Sequence, residues 1–304
     1  MDEKIKVQTL PSGDLQVKLE EPLTGAQLTE FLGISREKDK TLEILENGKP
    51  VPNRGKQLDS RTVTLRQPAS KDIPCSFEPV DVVYEDEWCL VADKPPFLLV
   101  HDDGETPDNL TARVNAHLSE SGWPFAAQAV NRIDREASGL VLFCKNPLFQ
   151  NWFDRQMEDR TAEKEYYAVL EGLLERRHVD LNNPIGRNRH EAEKMIVYPK
   201  GKVSHTHLER VARRGTRTLV KAKITTGRRH QIRVHAAHHG HAVVNDSLYG
   251  EKSDDRGLLL QSHRIVFRQP VTNQKIEVEI PMDPRFREFR KPPRKPVRGN
   301  FRRR

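Results

Sequence analysis

Three segments of the chain alternate apolar and polar residues with a period of two. Their apolar positions are Tyr166, Ala168 and Leu170, then Val220, Ala222 and Ile224, and finally Ile276, Val278 and Ile280. Because successive side chains of a strand point to opposite faces, each segment is predicted to be a strand of a sheet with one solvated face. Helical patterns at residues 109–119, 147–159 and 230–239 do not alternate regularly with the strands. The sequence therefore predicts an α+β fold with a mixed, largely antiparallel sheet, not a doubly wound one.

The pattern divides the chain into three parts. Residues 1–76 are polar, with helical stretches over residues 25–32 and 40–46, and are predicted to form a small α+β domain. A predicted hairpin, VDVVYEDEWCLVADKPP, then opens the strand-rich main domain, which extends over residues 77–283. Residues 284–304 are predicted to be a disordered tail, because a Pro- and Arg-rich segment with scattered aromatics buries too little apolar area to order itself.

The positive charge of the chain is concentrated in this tail. Its net charge is +7, and the tail holds ten of the 51 Lys and Arg residues against a single acid, so residues 1–283 are nearly neutral. The tail can act as a solubilising segment or as an electrostatic arm for phosphate backbones. The second interpretation is favoured, since arginine outnumbers lysine and aromatic residues are interspersed.

Several classes of protein are excluded by what the sequence lacks. No run of 18 apolar residues exists, and the start MDEKIKVQTL is acidic and polar, so neither a membrane span nor a secretory signal is predicted. Three widely spaced cysteines fit a reducing compartment and predict a cytoplasmic protein. There is no GxGxxG, GxxxxGK[ST], HExxH or GxSxG motif, and the histidines of HAAHHGH have no nearby carboxylate and third ligand. No nucleotide cofactor, other cofactor or metal is expected.

One acidic residue is set among cations in a way that suggests chemistry. Asp134 has Arg132 and Arg135 on either side and precedes a Ser-Gly turn and an apolar strand. Flanking cations favour the ionised carboxylate, which suits a hydrogen-bond acceptor or nucleophile and not a general acid. By spacing alone, a salt-bridged surface turn explains the same pattern.

Three motifs in this order resemble the RluA-type family of RNA pseudouridine synthases. They are NRIDREASGLVLF at residues 131–143, KEYYAVLEG at residues 164–172 and GRRHQIRVHAAHHGHAVVNDSLYG at residues 227–250. Asn131 replaces the His of the family pattern, Ala137 the Thr and Arg229 a second Thr. A weaker similarity joins DKPPFLLVH, residues 93–101, to the family's Asn-Lys-Pro-Ala-Gly-Leu-x-Val-His, and RIVFRQPVTNQ resembles its closing hairpin. The resemblance covers residues 77–283.

The resemblance implies an isomerase that converts uridine to pseudouridine in ribosomal or transfer RNA, without a cofactor. It implies Asp134 as the catalytic carboxylate, acting on the anomeric carbon or on the neighbouring sugar proton. Arg233 would pair with Asp134, and Tyr166 would stack on the uracil and could remove the proton from carbon five. Since the target base must leave its helix, Arg132 would hold its phosphate or fill the vacated stack. The substrate-binding residues implied are Arg132, Lys164, Arg228, His230, Gln231 and Ile232.

Two other functions are kept open. The fold can carry an inactive RNA-binding or ribosome-associated protein, since Asn131 and Ala137 lie beside Asp134. An acid hydrolase would need a second carboxylate, and Glu136 is near in sequence only. Residues 1–76 have the outline of a degenerate RNA-binding domain that often comes first in this family, although their charge is mixed. A monomer is expected.

Overall fold

The structure is a computed structural model and describes residues 5–252 and 254–290. Residues 5–66 form a five-stranded antiparallel sheet, in the order β1-β2-β5-β3-β4, with two short helices between its second and third strands. In chain order the elements are β1 (Ile5–Thr9), β2 (Leu15–Leu19), α1 (Gly25–Phe31), α2 (Arg36–Thr41), β3 (Glu43–Glu46), β4 (Lys49–Pro50) and β5 (Thr62–Arg66).

Local capping explains the two helices of this sheet. Thr24 and Gln27 form a reciprocal capping box that starts α1, which confirms the helix predicted over residues 25–32. The helix predicted over residues 40–46 is wrong. The Ser35 side chain caps α2 earlier in the chain, and Ile44 is instead buried in β3, paired with β5.

The main sheet has ten strands, and its elements continue in chain order. They are β6 (Asp81–Glu85), β7 (Cys89–Lys94), α3 (Leu110–Glu120), β8 (Gln128–Ala129), β9 (Ser138–Cys144), α4 (Gln150–Glu158), β10 (Glu163–Glu171), β11 (His178–Leu181), β12 (Ile185–Arg187), β13 (Met195–Val197), β14 (Thr206–Arg214), β15 (Arg217–Ile224), α5 (Gln231–His238), β16 (Leu260–Arg268), β17 (Lys275–Glu279) and α6 (Arg287–Arg290). Single 3-10 turns precede α4 and α6.

The sheet order is β11-β14-β15-β10-β16-β9-β7-β6, with β17 beside β16 and β8 beside β9, while β12 and β13 pair separately. Every pair is antiparallel except β9 with β16, which confirms the predicted α+β fold with a largely antiparallel sheet. The parallel contact is tight: a Cβ on Gly139 would lie 2.1 Å from the Ser262 carbonyl oxygen. Only glycine fits there, and this fixes the start of β9 against β16.

One hydrophobic cluster packs within the main domain, and another joins the small sheet to the main one. The period-two residues of β10 and β15 are buried in one cluster, which also receives Ile232 from α5. A second cluster is continuous from Leu15 and Leu65 of the small sheet to Trp88 and Phe149 of the main one. The boundary predicted at residue 76 lies in the connection between β5 and β6, and the second cluster packs the small sheet against the main one.

The tail requires a correction at its start. Disorder was predicted from residue 284, but residues 284–286 form a turn and Arg287–Arg290 a helical turn. The reason is Phe286, which is fully buried beside Val169, Leu219 and Leu259 and therefore anchors this segment. Residues 291–304 of the predicted tail lie outside the described residues. Within the described part of the chain, no helix is long and apolar enough to cross a membrane.

Candidate active site

The sheet brings Asp134, Tyr166 and Arg233 together from three separate elements. Asp134 lies in the turn before β9, Tyr166 on β10 and Arg233 in the first half of α5. Strand β16 lies between β9 and β10 and so sets their spacing. Tyr166 shares a hydrophobic cluster with Ala137, from the motif of Asp134, and with Ile232, from the motif of Arg233. Asp134 and Arg233 are in direct contact, although 99 positions separate them in the chain.

Arg233 is the buried centre of the site. Its guanidinium, with 1% of the residue exposed, donates to the Asp246 carboxylate through Nε at 2.8 Å and Nη2 at 2.9 Å. Its Nη1 donates to Asp134 Oδ2 at 3.0 Å and lies 3.7 Å from Glu136 Oε2. Hydrogen bonds to Asp246 and the charges of both aspartates raise its pKa, although burial opposes this. The cation is therefore held in place by Asp246 and presents one remaining donor edge to Asp134.

His230 approaches the same carboxylate from the other side. Its Nε2 lies 3.9 Å from Asp134 Oδ1, and its Nδ1 lies 2.9 Å from the Tyr249 hydroxyl. That hydroxyl accepts a hydrogen bond from the Met195 N–H at 2.7 Å, so its own proton is available to Nδ1. Burial lowers the pKa of His230, and the Asp134 charge opposes the shift. Burial therefore favours the neutral imidazole, and Nε2 is the ring nitrogen that faces Asp134.

Tyr166 lies where the pairing of β10 and β16 is irregular. The register shifts between Glu165 and Tyr166, and a bulge of this kind re-aims the side chains beside it. Tyr166 is 5% exposed. Burial, and to a lesser degree the Asp134 charge, raises the pKa of the phenol above its usual range. The ring is therefore neutral and adjoins the carboxylate.

Lys164 lies two residues before Tyr166 on the same face of β10 and is also buried. Its Nζ is 3.6 Å from the Met157 sulfur, and a Cβ added to Gly227 would lie 3.8 Å from the same atom. Burial lowers the pKa of the amine. Among the described residues no carboxylate within 4.0 Å pairs with it, so this cation is available to an anionic ligand.

The other predicted binding residues occupy different positions. Arg132 is exposed beside the Asp134 turn, and Arg228 donates to the Val203 carbonyl at 3.0 Å. Ile232 packs in the cluster beside Tyr166. The interpretation of Gln231 as a substrate contact is not supported, because its buried amide is used within the protein. It bonds to Thr226, the Arg228 N–H, the His205 carbonyl and Thr206.

The two departures beside Asp134 point into the protein. The Asn131 side chain is buried and accepts a hydrogen bond from the Leu142 N–H at 2.8 Å, which joins the segment before Asp134 to β9. Ala137 is 1% exposed and packs in the cluster of Tyr166. Neither residue removes an acid, a base or a cation from the cleft.

Lys94 is a site residue that sequence reasoning missed. Its fully buried ammonium donates to the carbonyl oxygens of Pro95, Leu98 and Arg135 at 2.8, 2.7 and 3.0 Å. Burial lowers its pKa to about 7, while the charges of Glu136 and Asp134 oppose the shift. Lys94 thus joins the segment after β7 to the turn that contains Asp134 and Arg135. The available signal was a lone lysine that ends the apolar run CLVADK.

Comparison with known proteins agrees with this geometry. The family model described as RNA pseudouridylate synthase matches residues 89–238. An uncharacterized RNA pseudouridine synthase of Bacillus subtilis (strain 168), YhcT, is 31% identical over 74% of this chain and 76% of its own length. Ribosomal large subunit pseudouridine synthase D of Neisseria meningitidis serogroup B is 30% identical over 79% and 68%. Among solved structures, human RNA pseudouridylate synthase domain containing 1 matches with a TM-score of 0.57 and 26% identity, over 69% of this chain and 86% of that one.

Proposed function

Since the chain belongs to the RNA pseudouridylate synthase family and is an isomerase, we propose that it converts uridines of ribosomal or transfer RNA to pseudouridine, with Asp134 as the catalytic carboxylate. The reaction breaks the bond from the sugar to nitrogen one of uracil, turns the base and joins it through carbon five. No redox change occurs and no water is consumed. We propose a monomer in the cytoplasm, a compartment that three free cysteines fit.

The observation that carries the proposal is the pair of aspartates, Asp246 and Asp134, that accept hydrogen bonds from the same arginine, Arg233. Asp246 uses both oxygens to hold the guanidinium, so the arginine cannot turn away from the cleft. Arg233 stabilises negative charge on Asp134 in a site that excludes water once substrate is bound. A carboxylate held in this way can attack the anomeric carbon or take the neighbouring sugar proton.

We assign Tyr166 to stacking against the uracil. Its neutral ring lies beside Asp134, and aromatic faces bind flipped bases by stacking. To take the carbon-five proton, Tyr166 has to act as a phenolate, so its own hydroxyl proton must leave first, and burial opposes that ionisation. If Asp134 forms a bond to the sugar, its negative charge disappears, and with it one of the causes that raise the phenol pKa. Covalent attachment would therefore favour the phenolate, which is the form of Tyr166 that can accept the carbon-five proton, although burial remains the larger cause of the raised pKa.

The cations around the cleft are proposed to hold the RNA backbone. Lys164 has the strongest support, because a buried amine without a carboxylate partner gains most from a phosphate. Arg132 is exposed beside Asp134 and can bind the phosphate of the flipped nucleotide, and Arg228 is a further cation two residues before His230, which approaches Asp134. The basic residues of the C-terminal segment would add affinity that is independent of sequence.

The inactive RNA-binding alternative depends on Asn131 and Ala137, and both side chains serve the protein interior. We therefore propose an active enzyme. The test is tritium release from bulk cellular RNA labelled at carbon five of uracil, taken from a strain that lacks the gene. Wild type should release tritium, Asp134→Asn should not, and nucleoside digestion should yield pseudouridine. Release of free uracil would indicate a hydrolase, and no release by wild type would refute the proposal.

A further inference from the structure

An exposed aromatic residue lies beside the catalytic turn and has no role in the site described above. Phe97 is 54% exposed and lies in the segment that follows β7. Its N–H donates to the carbonyl oxygen of Arg135, the residue after Asp134, at 2.7 Å. The Arg135 Nε returns a hydrogen bond to the Phe97 carbonyl at 3.4 Å. The ring is therefore attached to the rim of the cleft by its own backbone.

The backbone of Phe97 is unusual for such a bulky residue. Its φ is +69°, in the left-handed region that favours glycine. The related motif described in the sequence analysis has glycine at this position. A glycine would adopt the same turn without strain and without exposing an apolar ring to water. This chain carries phenylalanine where the backbone favours glycine, and strained backbone of this kind clusters at functional sites.

The surroundings of the ring fix its position and favour one class of ligand. A Cβ on Gly257 would lie 2.6 Å from Phe97 Cζ, so the ring edge packs against bare backbone and cannot swing freely. Near it the charge of Arg135 is opposed by Asp103, and Asp102 and Glu105 are exposed in the same loop. Both signs of charge therefore surround the ring, including the Arg285 guanidinium close to Gly257, so no single charged ligand is favoured. An uncharged aromatic face suits the ring better.

We propose that Phe97 is a stacking platform for an unpaired nucleobase next to the target uridine. The inference rests on the proposed function, since it requires RNA in the cleft. When a base flips out of its helix, its neighbours lose a stacking partner, and an aromatic side chain at the rim restores one. Phe97 thus provides a second base site, separate from the uridine pocket at Tyr166.

The test compares side chains that differ in their capacity to stack. Phe97→Leu keeps apolar bulk without a ring, Phe97→Trp keeps a larger ring, and Phe97→Gly removes the strain together with the side chain. Phe77→Leu is the matched control, because Phe77 is 77% exposed in the connection between the two sheets. The probes are a single-stranded oligouridylate of about ten nucleotides and an oligomer of equal length with abasic riboses.

We expect Phe97→Leu and Phe97→Gly to weaken oligouridylate binding by about 5- to 100-fold, the range that stacking of one base supports. Phe97→Trp should bind at least as well as wild type. Phe77→Leu should be unchanged, and no variant should differ on the abasic oligomer. With labelled bulk RNA, the loss should appear in KM, with kcat within about twofold of wild type.

Equal oligouridylate binding by Phe97→Leu and wild type would overturn the inference, as would an equal loss on the abasic oligomer or no measurable binding by wild type. Thermal unfolding separates a folding defect in Phe97→Gly from a binding one, and the Leu and Trp pair decides the matter if glycine fails to fold. Failure of the proposed function has a different signature. Wild type would then release no tritium, whereas the binding comparison could still succeed.

Discussion

Asp134 and Asp246 bind the same guanidinium, and we predict that the same substitution has opposite consequences at the two positions. Asp246 is fully buried and accepts from Arg233 through both oxygens. Asp246→Asn replaces one acceptor by an N–H donor facing Arg233 Nε and leaves the buried cation without its main partner. The Asp134 side chain is 19% exposed and accepts a single hydrogen bond from Arg233. In Asp134→Asn, water can therefore solvate the guanidinium where the carboxylate charge is lost.

The magnitudes follow from burial. Removing one partner of a buried ion pair lowers the free energy of unfolding by about 3–5 kcal/mol. The amide in Asp246→Asn keeps one hydrogen bond to Arg233, so we expect a loss of about 2–4 kcal/mol. For Asp134→Asn we expect a cost of about 1 kcal/mol or less, as for a partly solvated pair. Urea denaturation measures both values. Tritium release measures activity, which should be abolished in Asp134→Asn and reduced in Asp246→Asn because Arg233 loses its support.

The comparison is informative because each variant is the control for the other. Similar losses of stability would show that Arg233 depends on both carboxylates equally, and the separation of a supporting from a catalytic aspartate would be wrong. Full activity in Asp246→Asn would refute the idea that Asp246 holds the arginine for catalysis. Full activity in Asp134→Asn would refute the assignment of the carboxylate.

Four further predictions concern cations, the phenol and the tail. Lys94→Met should leave buried carbonyls without a donor and cost about 2–4 kcal/mol in urea denaturation. Because the pKa of Lys94 is lowered to about 7 in the folded state, wild type should gain stability as pH rises from about 7 to 10.5, and the variant should lack this gain. Lys164→Met should raise KM for RNA about 10-fold and reduce the salt slope of binding by about one, and an unchanged slope would exclude a phosphate contact. Tyr166→Phe should bind RNA normally but lose about 100-fold or more in kcat if the phenol oxygen moves the proton, whereas normal turnover would leave it stacking alone. Deletion of residues 291–304 should weaken RNA binding and flatten its salt dependence, and an unchanged slope would indicate a solubilising segment.

Much of the fold was readable from local patterns, since strand periodicity and helix caps depend on neighbouring residues. The helix at residues 25–32 was predicted correctly because its cap, Thr24 with Gln27, is local. The error over residues 40–46 has the opposite cause. Ile44 and Leu45 are a strand because β5 pairs with them, and β5 comes about 20 positions later. Phe286 is similar: its segment is ordered by Val169 and Leu259, which a local reading of composition does not include.

The sequence by itself determined the family, the period-two strands and the residues of the motifs, because motif order and period-two alternation are properties of the chain. Only the tertiary structure decided which motif residues meet and what each side chain faces. It separated Asp246, the buried support of Arg233, from Asp134 at the cleft, and it turned Gln231 inward while exposing Phe97. The physical reason is that burial and pairing between distant strands set the environment of a charge or a ring, and that environment is absent until the sheet has formed.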